Sequence, residues 1–375
     1  MRYYIIAGEA SGDLHGSNLI KALRKENPSA DVRAWGGDLM QTAGCTLAKH
    51  YRELAFMGFI EVVKNLPTIL RNIRVCKADI LDYQPDVLIL IDYPGFNLRI
   101  ATWAKVQGIG VFYYISPQIW AWKERRVELI KKVVDKMFVI LPFEKDFYKK
   151  HDFEVDFVGH PLLDAVANFK KEDNFLTQNN LQERPIIALL PGSRKQEIHK
   201  ILSLMLEVIP DFEAYQFVIA GAPSMSDSVY APFMQKVKNV VMVRNQTYQL
   251  LAHADAAIVT SGTATLETAL FDVPQVVVYK GSAISYAIAK QLVKLKYISL
   301  PNLIADKAIV TELIQGDCTR ANISFYLSNL LKNPSEIKTN YANLRSLLGT
   351  SGTSERLVKL IIKYLNEKKI IYKIM

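Results

Sequence analysis

Short runs of mostly apolar residues, each handed on to a helical stretch, recur along the chain and leave little choice of architecture. Residues 3–7, 32–35, 87–91, 111–115, 137–141 and 155–158 are too short for core helices and too apolar for a strand with one wet face. Strands of that kind belong to parallel sheets covered by helices on both sides. A polar stretch, FKKEDNFLTQNNLQER (169–184), follows without apolar period and reads as an interdomain linker. The alternation then restarts at 186–190, 217–220, 240–243, 256–260 and 275–279. The sequence therefore predicts an α/β protein of two Rossmann-like, doubly wound domains, 1–168 and 185–352, facing across a cleft. Residues 353–375 place Leu357, Leu360, Ile361 and Leu365 at helical spacing among lysines, an amphipathic helix that needs a surface to pack on.

A chain of 375 residues is long enough for two cores of ordinary size. Its three cysteines (Cys45, Cys76, Cys318) lie far apart and form no C-x-x-C pair, which fits a reducing compartment. The opening apolar run is too short for a secretory signal, and no uninterrupted apolar stretch approaches the roughly 20 residues that span a bilayer. A cytoplasmic protein is the expectation. The net charge of +9 is uneven: residues 121–150 carry nine Lys/Arg against five Asp/Glu, and residues 356–375 six against one. Such an excess suits an anionic partner, and equally the solvated faces of helices. No nucleic-acid-binding signature accompanies it, so no nucleic acid partner is expected.

In doubly wound folds the chemistry sits in the loops after the strands. The first such loop, GEASGDLHG (8–16), spaces its glycines by four instead of as G-x-G-x-x-G, and Glu9 and Asp13 would repel a pyrophosphate. Glu9, Ser11 and Asp13 suit sugar hydroxyls on the acceptor side of the cleft; Ser11 and Asp13 would also serve as cap and dipole partner of the next helix. The second domain opens with LLPGSR (189–194), where Gly192, Ser193 and Arg194 offer close backbone approach, a hydroxyl and a guanidinium at a helix N-terminus. A later loop, SGTATLE (261–267), repeats the pattern: Ser261, Gly262, Thr263 and Ala264 precede Glu267, a carboxylate placed to accept both hydroxyls of a ribose. Together these two loops describe a nucleotide-diphosphate pocket. The chain has no D-x-D triplet and its six histidines lack metal-ligand spacing, so no metal is expected and Arg194 with the helix amides is expected to meet the leaving-group charge.

Asp92 follows the apolar run 87–91 directly and so sits at a strand's carboxyl tip, where partial burial would raise its pKa towards that of a working base. The alternative is a structural carboxylate holding the next turn. Trp120 and Trp122, beside a basic run, fit either an aromatic platform for a sugar phosphate or lipid headgroup, or core packing. Residues 54–77 carry Phe56, Met57, Phe59, Ile60 and Val63 with Lys64, Arg71, Arg74 and Lys77 alongside; this fits a helix lying in a bilayer interface, or one buried against the sheet. Pro67 would break that helix or start a second one.

The ordered set AGEASGD, ELAFMGFIEVV, IDYPGFN, YYISPQIWAW, LPFE, VGHP, LLPGSR, SGTATLE and YISLPNLI resembles the lipid-A-disaccharide synthases over nearly the whole chain. The resemblance implies a GT-B fold and an inverting glycosyl transfer, without cofactor, from UDP-2,3-diacylglucosamine to 2,3-diacylglucosamine 1-phosphate. It implies Asp92 as the catalytic residue, Arg194 as the pyrophosphate ligand, and residues 261–267 with Asn302 as donor contacts. It also implies a peripheral protein on the inner face of a Gram-negative inner membrane, with a homodimer as the candidate assembly. Gly95 departs from the pattern, standing where many members carry an acidic residue, and leaves a second carboxylate role there without a residue. Two other readings use the same nucleotide pocket: a UDP-sugar 2-epimerase, and a peripheral protein that binds UDP-sugars without turnover.

Overall fold

The computed structural model describes residues 1–53, 66–237, 240–281 and 295–374. They form two compact units, one of residues 1–164 with 350–375 and the other of residues 165–349.

Among the described residues the first unit holds a seven-stranded sheet. Its strands are β1 (Arg2–Ala7), β2 (Asp31–Gly36), β3 (Thr46–His50), β4 (Val87–Ile91), β5 (Val111–Tyr114), β6 (Lys136–Val139) and β7 (Asp156–Phe157), in the order β3-β2-β1-β4-β5-β6-β7. The recorded strand pairs are parallel. Alternation divides the strands between two buried faces. Tyr4, Ile6, Leu88, Leu90 and Tyr113 point to one, Tyr3, Ile5, Val87, Ile89 and Phe112 to the other. That is why these strands read as continuous apolar runs. The helix Leu66–Tyr83, with Pro67 in its first turn, buries Ile73, Cys76 and Ile80 on the first face. For that part of the segment, burial against the sheet is the arrangement found. Phe56, Met57, Phe59, Ile60 and Val63 lie outside the described residues. On the second face, Leu357, Val358, Ile361 and Leu365 of the helix Thr353–Ile374 join the core beside Leu19, Ile20 and Leu23 of the helix Ala10–Glu26. Arg356 fastens this helix by donating to Val158 O at 3.0 Å, and Asp164 accepts from the Thr353 amide at 3.1 Å.

The second unit repeats the plan with β8 (Ile186–Leu190), β9 (Gln216–Gly221), β10 (Val240–Arg244), β11 (Ala256–Thr260), β12 (Gln275–Tyr279) and β13 (Thr311–Ile314), in the order β10-β9-β8-β11-β12-β13. One expectation needs correction. Residues 169–184 are no free linker: Phe175, in the short helix Phe175–Gln178, is fully buried with Ile186, Ala188 and Val218, and the Gln249 side chain bonds the backbone of Lys170 and Glu172. Leu176 and Leu181 pack against the same cluster, and anchors at such irregular spacing show no periodicity to read. Among the described helices none is long and apolar enough to cross a membrane.

Candidate functional site

In each sheet the strand order reverses direction once, between β1 and β4 in the first unit and between β8 and β11 in the second. At such a switch point the loops after the two neighbouring strands diverge to opposite faces and leave a crevice for ligand. The register pairs Ala7 with Ile91 and Leu190 with Val259, so the GEASGD loop emerges beside Asp92, and the PGSR loop beside the SGTATLE loop. The loops marked out in the sequence are those at the switch points.

In the first unit, Gly8, Glu9, Ser11, Gly12, Asp92 and Tyr93 line a small recess. Glu9 is the N-cap residue of the helix Ala10–Glu26 but makes no side-chain cap bond. Ser11 is exposed in the first turn. Burial and then the negative charge of Glu9 push the Asp92 carboxyl up to about 6, against the opposing pull of the Tyr93 amide. Asp92 and Tyr93 are both in the left-handed region, at φ of 44° and 49°. The Asp92 amide donates to Tyr114 O at 3.1 Å. Its carbonyl accepts from Asn97 Nδ2 at 2.7 Å and from the Tyr113 hydroxyl at 2.5 Å.

Asp13 is not free to meet a sugar. Its carboxylate is 3% exposed and accepts the amides of Gly37 (2.8 Å), Leu39 (3.1 Å) and Met40 (3.0 Å), which holds the start of the helix Asp38–Thr42. A buried carboxylate surrounded by orphan helix amides is a structural anchor.

In the second unit, Arg194 is the N-cap residue of the helix Lys195–Glu207 and its side chain is 71% exposed, paired with Glu197 Oε1 at 3.3 Å. Gly192 has φ of 101°, and a Cβ there would lie 2.8 Å from Glu197 Oε2, so the turn requires glycine. Gly262 is the N-cap residue of the helix Thr263–Leu270, again without a side-chain cap. The amides at the starts of these two helices are thus presented at one switch point, beside a guanidinium. Glu267 lies one turn on, its carboxyl raised by burial and its Oε1 held by the Tyr248 hydroxyl at 2.9 Å.

Two expected donor contacts have other duties. Ser261 donates its amide to Val278 O and its hydroxyl to Ile298 O (2.8 Å). Asn302 is 1% exposed with its amide fully used: Nδ2 donates to Val310 O and Glu312 Oε1, and Oδ1 accepts from the Ile309 and Val310 amides. Glu312 also accepts from the amides of Ile298 and Ser299 and from the Ser299 hydroxyl. These residues brace the loop beside the helix Thr263–Leu270: the Asn302 amide is fully engaged and the Ser261 hydroxyl proton is already given to Ile298 O. A hollow of about 440 Å³ opens next to them, lined among others by Tyr297, Asn302, Glu312 and Glu336. Among the described residues its lining includes no Lys or Arg, so it does not suit a diphosphate.

Reading the sequence missed Glu144. It is 1% exposed, accepts the Leu141 amide at 3.0 Å and the Trp120 indole at 3.3 Å, and burial raises its carboxyl to about 7. Trp120 also packs edge-on against Phe143, so its ring is built into this corner; the side chain of Trp122 lies outside the described residues. The only sequence signal was the recurrence of a carboxylate just past a strand end, in LPFE.

Several solved structures share this fold at low identity. UDP-GlcNAc 2-epimerase from Neisseria meningitidis, bound to UDP-GlcNAc, superposes with a TM-score of 0.70 at 16% identity over 97% of this chain and 100% of that one. The glycosyltransferase of kitacinnamycin superposes with a TM-score of 0.68 at 14% identity, over 96% and 98%. The architecture is therefore that of GT-B glycosyltransferases and sugar epimerases. Sequence relatives are far nearer. The lipid-A-disaccharide synthase of Syntrophus aciditrophicus is 41% identical over 94% of each chain. Lipid-A-disaccharide synthase 1 of Legionella pneumophila (strain Philadelphia 1) is 38% identical over 98% of each. With the family model for lipid-A-disaccharide synthetase matching residues 3–362 as well, this chain belongs to the lipid-A-disaccharide synthase family of glycosyltransferases.

Proposed function

We propose that the chain transfers 2,3-diacylglucosamine from UDP to the 6-hydroxyl of 2,3-diacylglucosamine 1-phosphate, with Asp92 as the general base. The observation that carries this reading is the place of Asp92: at the switch point of the first sheet, beside Glu9, with a carboxyl raised to about 6. Such a group is mostly ionised at neutral pH yet basic enough to take a proton as the hydroxyl attacks. A single displacement from the face opposite UDP inverts the anomeric carbon. The UDP leaving group gathers negative charge, and the helix starts at Arg194 and Gly262, with the Arg194 guanidinium, are the groups suited to hold it. Glu267, steadied by Tyr248, suits the ribose hydroxyls.

Glu9 and Ser11 fit the acceptor side. Acylated substrates and the basic runs at 121–150 and 356–375 support a peripheral position on an anionic membrane surface, the cytoplasmic face of the inner membrane. The epimerase reading retains only the shared fold, since the epimerases match at low identity whereas relatives at 37–41% carry the synthase name. Incubating the protein with UDP-diacylglucosamine and the diacyl monosaccharide phosphate should yield a disaccharide phosphate by mass spectrometry. Epimerised donor without disaccharide would favour the alternative.

A further inference from the structure

Two consecutive residues without the freedom of glycine, Asp92 and Tyr93, hold positive φ angles of 44° and 49°. Such a residue is strained and persists only where its surroundings over-determine it. The surroundings here can be named. Asn97, fully buried in the first turns of the helix Pro94–Val106, donates from Nδ2 both to Ile91 O at 3.2 Å and to Asp92 O at 2.7 Å. Tyr113, fully buried on β5, donates its hydroxyl to the same Asp92 carbonyl at 2.5 Å.

The orientation of the Asn97 amide is fixed by this bonding, because a flipped amide would set its oxygen against two carbonyl oxygens. The arrangement has a cost. Among the described residues Asn97 Oδ1 is buried without a hydrogen-bond partner, an expense a residue kept only for packing would not incur. With the amide of Asp92 bonded to Tyr114 O, both backbone polar groups of this residue are tied down, while its carboxylate faces the recess beside Glu9.

We propose that Asn97 and Tyr113 are positioning residues, a two-pronged clamp on the Asp92 carbonyl that turns the Asp92 side chain into the site. The inference rests on the reading of Asp92 as the base. The clamp acts through the backbone, so it touches neither substrate and should govern turnover while leaving nucleotide binding alone.

The test compares Asn97→Ala and Tyr113→Phe with wild type for kcat, UDP affinity by calorimetry, melting temperature and the pH dependence of kcat/KM. Tyr113→Phe keeps the ring and removes one prong, so it remains informative if Asn97→Ala fails to fold. The expected result is a kcat loss of about 10²-fold for Asn97→Ala and a smaller loss for Tyr113→Phe, as a misplaced reacting group produces. UDP affinity should stay the same, and the acidic limb of the pH profile should move as the carboxylate leaves its place. Adding Tyr113→Phe to Asp92→Asn should cost almost nothing further, since a clamp has no role once its base is gone. Variants that lose only melting temperature, with wild-type kcat per folded molecule and an unmoved pH limb, would overturn the clamp. So would Tyr113→Phe acting with full effect in the Asp92→Asn background. Failure of the underlying reading looks different: Asp92→Asn would by itself retain turnover.

Discussion

The ring of Tyr93 lies where a side chain on Gly8 would have to go: a Cβ at Gly8 would sit 2.3 Å from Tyr93 Cδ1. The first glycine of GEASGD is therefore there for the Asp92 turn, not for a phosphate. Its absence of side chain lets the two loops close on each other and brings the Glu9 charge to bear on Asp92.

Asp92→Asn keeps the shape of the side chain but cannot accept a proton. Turnover should fall by about 10²–10⁴, the range for a general base, with UDP affinity unchanged. A folded-state pKa above the ordinary 3.8 means that the folded protein holds the extra proton between about 4 and 6. Stability from this group is thus lost as pH rises through that window. The Asn variant should melt at or above the wild-type temperature at pH 8, and the difference should close below pH 4; a merely structural aspartate would give a lower melting temperature instead.

The pH dependence of kcat/KM should rise through about 6 and then level, as the Asp92 carboxyl ionises. Glu9→Gln removes a negative charge that helps to raise this pKa, so the rise should move to lower pH. An unmoved limb would mean that Glu9 and Asp92 are not electrically coupled.

Asp13→Asn sets an amide NH₂ against at least one of the backbone amides now accepted by the carboxylate. Hydrogen bonds to a charged group are worth about 1.5–3 kcal/mol, so melting should fall by roughly 5–10 °C. Thermal denaturation checks this, and kinetics complete the test: the KM for the acceptor should be that of wild type at temperatures where the variant is folded.

Arg194→Ala should weaken UDP binding tenfold or more, since a charge-assisted bond of roughly 1.5–3 kcal/mol is lost at an exposed helix start. Calorimetry with UDP measures it directly. Wild-type affinity would remove Arg194 from the nucleotide site.

Strand–helix alternation was legible because central parallel strands are apolar on both faces, and the loops that matter follow from where such a sheet switches direction. β3 and β13 were not legible. Both are edge strands, TLAKH and TELI, with partly exposed polar residues that break the apolar run. Within the loops, sequence shows which groups are polar but not where they point. Asp13, Ser261 and Asn302 look like ligands for the same reason that they make good braces: each has hydrogen-bonding capacity beside a turn. Only the partners separate the two uses. Asn97 and Tyr113 escape notice for the opposite reason, as one sits inside a helix and the other in an apolar strand.

The seating of Leu357, Val358, Ile361 and Leu365 in the core beside the helix Ala10–Glu26, with Tyr364 edge-on to Phe112 of β5, sets an order on biosynthesis. That helix and the sheet face it covers are made early, yet the rest of the cover is translated only after all of residues 165–349. The second unit can complete its own core on the ribosome while the first still lacks the side chains that pack on the helix Ala10–Glu26 and on Phe112. The N-terminal half of this protein is begun first and finished last, and during that interval its half-covered apolar face is what a chaperone would find to hold.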